Sequence, residues 1–206
     1  MKITDFNKGI ISSSLGSFWW GFLGTYYFQY ITFVGTIEVV VHRCIWTCLM
    51  LLITTTFFNK WNLLKKIIFD KKKLLILLIT SILIFGNWSI WIYAVATNRI
   101  IDASFGYFIF PIISVFFGFL FFNEKLNKKR IFSISLVIIS IIYLFFNLNS
   151  LPWVGFALAF IWSIYNLLRK KINVDIDIGL FIESLFIFPI AIVIFYFIFQ
   201  NNMNVF

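Results

Sequence analysis

One apolar stretch of the chain carries three ionisable side chains whose types and spacing could do chemistry. Residues 35–58 read GTIEVVVHRCIWTCLMLLITTTFF, which is long enough to cross a bilayer, and they include Glu38, His42 and Arg43. An Arg near the centre of a membrane helix costs about 2.5–3.5 kcal/mol on insertion scales, so a retained one is usually functional. Glu38 and His42 share a helix face, whereas Arg43 lies about 140° round the helix from Glu38.

These three residues have a functional and a structural interpretation. Arg43 would bind the anionic group of a substrate because a guanidinium stays charged, and His42 would carry a proton because imidazole titrates near neutral pH. Alternatively, His42 and Arg43 belong to a hydrogen-bonded network that fixes helix packing. Glu38, close to the membrane interface, would then be a snorkelling or capping carboxylate that pairs with His42.

Further candidate residues lie in other apolar stretches. Glu183 is interpreted either as a coupling site that exchanges a proton for substrate or as the buried partner of a helix outside the chain. Asn87 and Trp88 are either interhelical packing residues or part of a substrate path, to which Tyr107 is also assigned. Pro111 removes a helical hydrogen bond and is either a hinge for alternating access or a plain packing feature.

The composition excludes a soluble globular domain. The chain of 206 residues is 62% hydrophobic and 12% charged, with a mean hydropathy of +0.98. The alternation of a membrane barrel is absent, so we expect an all-α integral membrane protein, a bundle of about seven helices in the lipid bilayer. The predicted spans are residues 10–30, 37–58, 74–96, 103–122, 131–147, 151–168 and 179–199.

Positive charge falls on one side of these spans. Of the 17 Lys and Arg residues, all except Arg43 and Arg99 precede the first span or follow the second, fourth or sixth. The positive-inside rule therefore predicts a cytoplasmic N-terminus and a multi-pass protein of the cytoplasmic membrane. Residues 60–73 are expected to form a solvated loop near anionic lipid. The net charge of +9 needs no nucleic acid partner to explain it.

An internal repeat is indicated by two stripes of small residues at every fourth position. The stripes are Ser13, Ser17 and Gly21 in the first span and, 142 residues later, Gly155, Ala159 and Ser163 in the sixth. The same shift superimposes Trp20 on Trp162, and a shift of 141 superimposes His42 on Glu183. Small-residue stripes let helices approach closely. We therefore predict a five-helix repeat over residues 1–149 and the start of an inverted, incomplete second repeat over 150–206, a plan typical of secondary transporters.

The sequence gives little support for an enzyme. The chain has one His and two Cys, and it lacks G-x-S-x-G and H-E-x-x-H motifs. We expect neither catalysis nor a metal or cofactor, and we interpret the two cysteines as small core residues.

Several short motifs occur together in one order. They are HRCIW at 42–46, GNW at 86–88, ASFGYFIFP at 103–111, NEKL at 123–126, SLPWVGFALAF at 150–160 and LLRKKI at 167–172. As a set they resemble the RarD-type members of the EamA family in the drug/metabolite transporter superfamily, with the departure that Phe110 stands where an Asn is expected.

The resemblance implies ten helices in two repeats and a carrier that moves a small metabolite or drug by alternating access. Three helices would then lie beyond this chain, or a partner chain, as in a homodimer, would supply helices. The alternative is a non-transporting structural subunit or an inactive fragment of such a carrier.

Overall fold

All regular structure in the described residues is helical. The computed structural model describes residues 5–146 and 151–200. Helix α1 runs over Asp5–Phe18, continues through a π-helical turn at Trp19–Gly24 and ends with Thr25–Tyr30. The helices that follow are α2 (Thr36–Phe57), α3 (Trp61–Ile68), α4 (Lys71–Ala96), α5 (Ile100–Phe122), α6 (Lys128–Phe146), α7 (Trp153–Ile172) and α8 (Ile176–Gln200).

The prediction of an all-α integral membrane protein is confirmed. Among the described residues, five helices are long and apolar enough to cross a membrane: α2, α4, α5, α6 and α8. The other two predicted spans fall on α1, which is divided by its π-helical turn, and on α7, whose last turn carries three basic residues. The predicted end of the fifth span, at residue 147, lies outside the described residues.

The expectation of a solvated loop over residues 60–73 is wrong in its central part. Trp61–Ile68 forms the short helix α3, and its Leu64 and Ile67 are each only 5% exposed. These two side chains share one helix face and pack into a core cluster with Leu77 of α4. The basic charge of the segment hid this amphipathic pattern, because the lysines of α3 occupy the exposed face.

Asparagine rather than glycine ends several helices. Asn59, Asn98, Asn123 and Asn173 all have left-handed backbone conformations, with φ between 44° and 57°. Asparagine tolerates this conformation better than other residues with a side chain, so each can terminate a helix without a glycine.

The start of α4 is fixed by a cap. The Asp70 carboxylate accepts a hydrogen bond from the backbone N–H of Lys73 at 3.2 Å. This bond, together with the charge of Lys73, holds the pKa of Asp70 below its ordinary value.

The two predicted repeats share one core. Helix α7 packs against α4 and α5, and α8 packs against α2 and α4. Val41 and Trp91, from the first predicted repeat, lie in one cluster with Val154, Leu158 and Ala191 from the second. Residues after 150 therefore form part of the same hydrophobic core as the helices before them.

The closest helix contact joins α5 to α7. A Cβ added to Gly155 would overlap the carbonyl oxygen of Asp102 and lie 3.0 Å from the backbone nitrogen of Gly106. Two turns further on, the Ser163 hydroxyl donates to the carbonyl oxygens of Ala159 at 2.7 Å and of Phe110 at 3.4 Å. The stripe of Gly155, Ala159 and Ser163 thus forms the face of α7 that lies against α5.

The matching stripe of α1 has a different environment. Ser13, Ser17 and Gly21 are exposed, and a Cβ on Gly21 would meet nothing within 4 Å. Within the described part of the chain, these three residues are therefore not packed against another helix as expected.

Charged groups pair at both ends of the bundle. Lys60, which follows α2, lies 2.8 Å from Asp177 of α8. At the opposite end, Arg99 pairs with Asp102 at 2.8 Å and stacks over Trp153 at 5.1 Å. The Lys60–Asp177 pair and the Arg99–Trp153 contact thus join different helices at the two ends of the bundle.

We expect Gly155→Ala to lower stability by about 1–3 kcal/mol, because the added methyl group forces α5 and α7 apart. Thermal unfolding of the purified protein in detergent measures the change. Gly16→Ala is the matched control, since nothing lies within 4 Å of its added Cβ. Equal unfolding midpoints for the two variants would contradict the close contact.

Candidate functional site

Arg43 lies among aromatic rings from two neighbouring helices. Its guanidinium carbon is 4.4 Å from the ring centroid of Trp88 on α4, 5.1 Å from Trp20 and 5.7 Å from Phe28, both on α1. A cation over an aromatic face gains about 0.5–2 kcal/mol, more when water is excluded. The rings therefore offset part of the cost of keeping this charge among apolar helices.

The rings are held by contacts with one another. Trp91, 6% exposed, lies 5.3 Å from Trp20 and 4.9 Å from Phe28 between ring centroids. Trp20 projects from the π-helical turn of α1, and a Cβ on Gly24 would come within 3.1 Å of its ring. Such π-helical turns recur at functional sites because they re-aim single side chains. Here the turn presents Trp20 to Arg43.

The charge of Arg43 has no anionic partner in the described structure. Among residues 7–146 and 151–200, no ion pair forms to Arg43, and its buried Nη1 has no hydrogen-bond partner. Tyr107 of α5 interacts with both Arg43 and Trp20. A buried N–H donor is rarely left without an acceptor, and guanidinium groups bind carboxylates or phosphates with two parallel hydrogen bonds. Arg43 Nη1 thus remains a donor without an acceptor among the described residues.

A cavity of about 250 Å³ between α1 and α2 reaches both His42 and Arg43. His42 is 28% exposed and its ring makes an edge contact with Phe195 of α8 at 5.2 Å. Its Nε2 lies 3.9 Å from Oε1 of Glu38. Glu38 itself is 2% exposed, so it does not reach solvent as the snorkelling interpretation required. The His42 imidazole and the Arg43 guanidinium thus border the same space.

Glu183 forms a second, closed cluster. Its Oε1 accepts from the Thr80 hydroxyl at 2.6 Å, its Oε2 accepts from the Tyr165 hydroxyl at 3.1 Å, and Nε of Arg169 lies 3.7 Å away. Glu183 is fully buried. The guanidinium of Arg169 rests directly against Gly179, where a Cβ would overlap it. The cluster joins α4, α7 and α8, so Glu183 has hydrogen-bond and charge partners within the described part of the chain.

The two clusters are separate. His42 contacts Phe195, and Glu183 lies 12 residues earlier on α8, which is roughly 18 Å along the helix axis. Arg43 and Glu183 therefore do not form one binding site, although the predicted repeat superimposes His42, the neighbour of Arg43, on Glu183.

The remaining predicted residues lie in α4 and α5. Asn87 is buried next to Trp88, with 6% of its surface exposed. Pro111 lies inside α5 and removes the N–H that would bond to the carbonyl of Tyr107. The helix continues through it to Phe122. No group of three or more potential metal ligands occurs in the described ranges 5–146 and 151–200.

Several members of both clusters were missed from the sequence. Phe28 and Trp91 look like ordinary core aromatics in a chain with 29 Phe and 8 Trp residues, and no spacing rule singles them out. Thr80, Tyr165 and Arg169 could be recognised from the sequence only in part. An Arg at the end of a helix is interpreted from the sequence as a signal of membrane topology. The contact of Arg169 with Glu183 depends on the absence of a side chain at Gly179.

Comparison with known proteins gives the family. Residues 7–146 match the EamA-like transporter family, and the chain belongs to it. It is 34% identical to an uncharacterized transporter of Vibrio cholerae. The match spans 187 residues, which are 91% of this chain and 62% of that protein. It is 30% identical to the protein RarD of Escherichia coli, over 93% of this chain and 64% of that protein.

A third relative is the uncharacterized transporter YojE of Bacillus subtilis, 32% identical over 93% of this chain and 65% of that protein. The chain thus spans a little under two thirds of the length of these relatives. No solved structure matches it.

We expect Glu183→Ala to destabilise the protein by about 3–5 kcal/mol, because it leaves Arg169 as an uncompensated buried charge. Asp177→Ala is the control, since it removes an exposed carboxylate of the same helix and costs at most about 1 kcal/mol. Unfolding in detergent with increasing denaturant measures both. Similar losses for the two variants would contradict the anchoring role of Glu183.

Proposed function

We propose that this chain forms the substrate-binding part of an EamA-type carrier that moves a small anionic metabolite across the cytoplasmic membrane. The observation that supports this most directly is the guanidinium of Arg43, which has aromatic neighbours and an open cavity but no anionic partner among the described residues. The names of the three relatives, two of them uncharacterized transporters, agree with transport without identifying a substrate.

The chemistry of the site suggests the substrate class. A carboxylate would accept two hydrogen bonds from the Arg43 guanidinium, worth about 1.5–3 kcal/mol each in a charged pair. The surrounding rings of Trp20, Phe28 and Trp88 would exclude water and favour a flat or apolar body next to the carboxylate. The cavity of about 250 Å³ lies below the roughly 300–1,000 Å³ of drug-sized sites, which favours a small metabolite.

His42 suggests how transport is coupled. It borders the substrate cavity and pairs with the buried Glu38, so a change in its protonation would change the charge beside the bound anion. Import or export of a carboxylate with a proton would keep the site electrically balanced. In this proposal Glu183 anchors helices and does not bind substrate.

Alternating access between two inverted repeats is the proposed mechanism, with the N-terminus in the cytoplasm. In α7 the small stripe packs against α5, whereas the equivalent stripe of α1 is exposed. By the symmetry of the repeat, α1 would pack against the counterpart of α5 in a complete second repeat, contributed by a longer chain or by a second copy in a homodimer. Pro111 would let α5 bend as the site opens.

The first experiment compares metabolites in cells with and without the full-length gene and then measures uptake of the changed compounds into proteoliposomes. We expect Arg43→Ala to lower the apparent affinity for the transported anion by at least about ten- to a hundredfold, because at least one charge-assisted hydrogen bond of about 1.5–3 kcal/mol is lost. Arg43→Lys should keep part of this affinity, because the positive charge remains while the planar guanidinium with its parallel N–H donors is lost.

Lys71→Ala is the control, because it removes one exposed positive charge at the start of α4. Equal uptake of every candidate solute by wild-type and Arg43→Ala protein would refute the role of Arg43. A chain that forms a stable assembly and moves none of the compounds would favour the structural-subunit alternative.

We also expect Gly21→Leu to leave the stability of this 206-residue chain unchanged, because the site is open here, but to impair transport. The reason is that the proposed neighbour of α1 in the transport-competent protein would no longer fit. Thermal unfolding and proteoliposome uptake are the two measurements. Full transport activity of Gly21→Leu would show that this face of α1 is not covered.

A further inference from the structure

A second cavity, of about 570 Å³, lies between α5, α6 and α7. It is more than twice as large as the cavity at Arg43 and has no part in the proposed transport site. Its inner walls include apolar side chains such as Val115, Phe117 and Leu167. Its outer part lies at the end of the bundle where α5 ends and α6 begins.

The rim of this cavity carries more positive than negative charge. Lys129 and Arg130 of α6 and Lys170 of α7 face a single carboxylate, that of Glu124. Lys170 pairs closely with Glu124 and also lies 4.6 Å from the Phe122 ring centroid.

Glu124 neutralises only part of that charge. The hydrogen bond and charge of Lys170, with a further contribution from Arg130, hold the pKa of the Glu124 carboxyl below its ordinary value. It therefore stays ionised near neutral pH and compensates one cation. A net positive rim remains.

Polar groups continue inside the rim. Asn127 and Asn166 line the cavity, and Ser114, deeper along α5, has a buried hydroxyl without a hydrogen-bond partner in the described structure. A suitable occupant must supply an anionic group with several acceptor oxygens near the rim and apolar groups further in.

The cavity opens between α6 and α7. Helix α6 packs on α5, and none of its described side chains is buried. Ser133 and Ile134 of α6 and Asn166 and Leu167 of α7 line opposite walls, so the two helices are separated by the cavity itself. In this chain an occupant can therefore enter sideways between α6 and α7 as well as from the end of the bundle.

We propose that this cavity binds an anionic phospholipid. Lys129, Arg130 and Lys170 would hold the headgroup phosphate, and an acyl chain would lie against the apolar walls between α6 and α7. Basic cavities between membrane helices at headgroup depth are suited to anionic lipids. A soluble anion would satisfy the rim but would leave the apolar walls and the sideways opening unused.

The test compares the thermal unfolding midpoint of the full-length protein in detergent with added phosphatidylglycerol, phosphatidylcholine or sn-glycerol 3-phosphate. Phosphatidylglycerol should raise the midpoint, and the other two compounds should not. The double variant Lys129→Gln, Arg130→Gln should lose this shift. Lys71→Gln, Lys72→Gln should keep it, because these lysines lie outside the cavity and the change in net charge is the same.

Ser114→Phe provides a second, charge-neutral test, since the larger side chain fills the cavity and should also abolish the shift. Native mass spectrometry should find phosphatidylglycerol retained by the wild type and lost from both cavity variants. Equal shifts with phosphatidylcholine, or an undiminished shift in both cavity variants, would overturn the proposal. A shift with sn-glycerol 3-phosphate alone would overturn the assignment to a lipid in favour of a soluble anion.

Discussion

An ionised side chain among apolar helices must be compensated, and this constraint organises the structure. The protein satisfies it in two ways. Glu183 is enclosed by two hydroxyl donors and Arg169, so its charge is balanced within the chain and three helices are joined. Arg43 is balanced only in part, by aromatic faces, and keeps a donor without an acceptor in the described structure. The Glu183 cluster, which contains its own counterion, is suited to stability, and the Arg43 cluster, which has no counterion among the described residues, is suited to binding.

The packing of α7 and α8 connects these two clusters to the fold. Both helices insert among earlier ones, so residues from the two predicted repeats share one core. Helix α8 carries Glu183 near its start and contacts His42 through Phe195 further on. A shift of α8 would therefore act on the anchoring cluster and on the edge of the proposed substrate cavity together. This rigid connection is a physical route by which substrate binding could be linked to helix movement.

The sequence was sufficient for the membrane class and the positions of the long apolar helices, because hydropathy and charge bias are local properties. It was insufficient for what depends on three-dimensional contact. The π-helical turn that presents Trp20, the reach of Arg169 over Gly179 and the burial of α3 follow from neighbours distant in the chain. The predicted repeat superimposed His42 on Glu183, but the surroundings of these two residues in the structure differ.

The central claim is that Arg43 receives the anionic group of the transported compound. Because Trp20 and Trp88 contact its guanidinium, tryptophan emission of the purified protein reports on this site. The decisive measurement is a titration with the transported carboxylate and with its uncharged methyl ester, in wild-type and Arg43→Gln protein. The account predicts a saturable emission change for the carboxylate with wild type alone. The same response to the ester, or from Arg43→Gln, would contradict it.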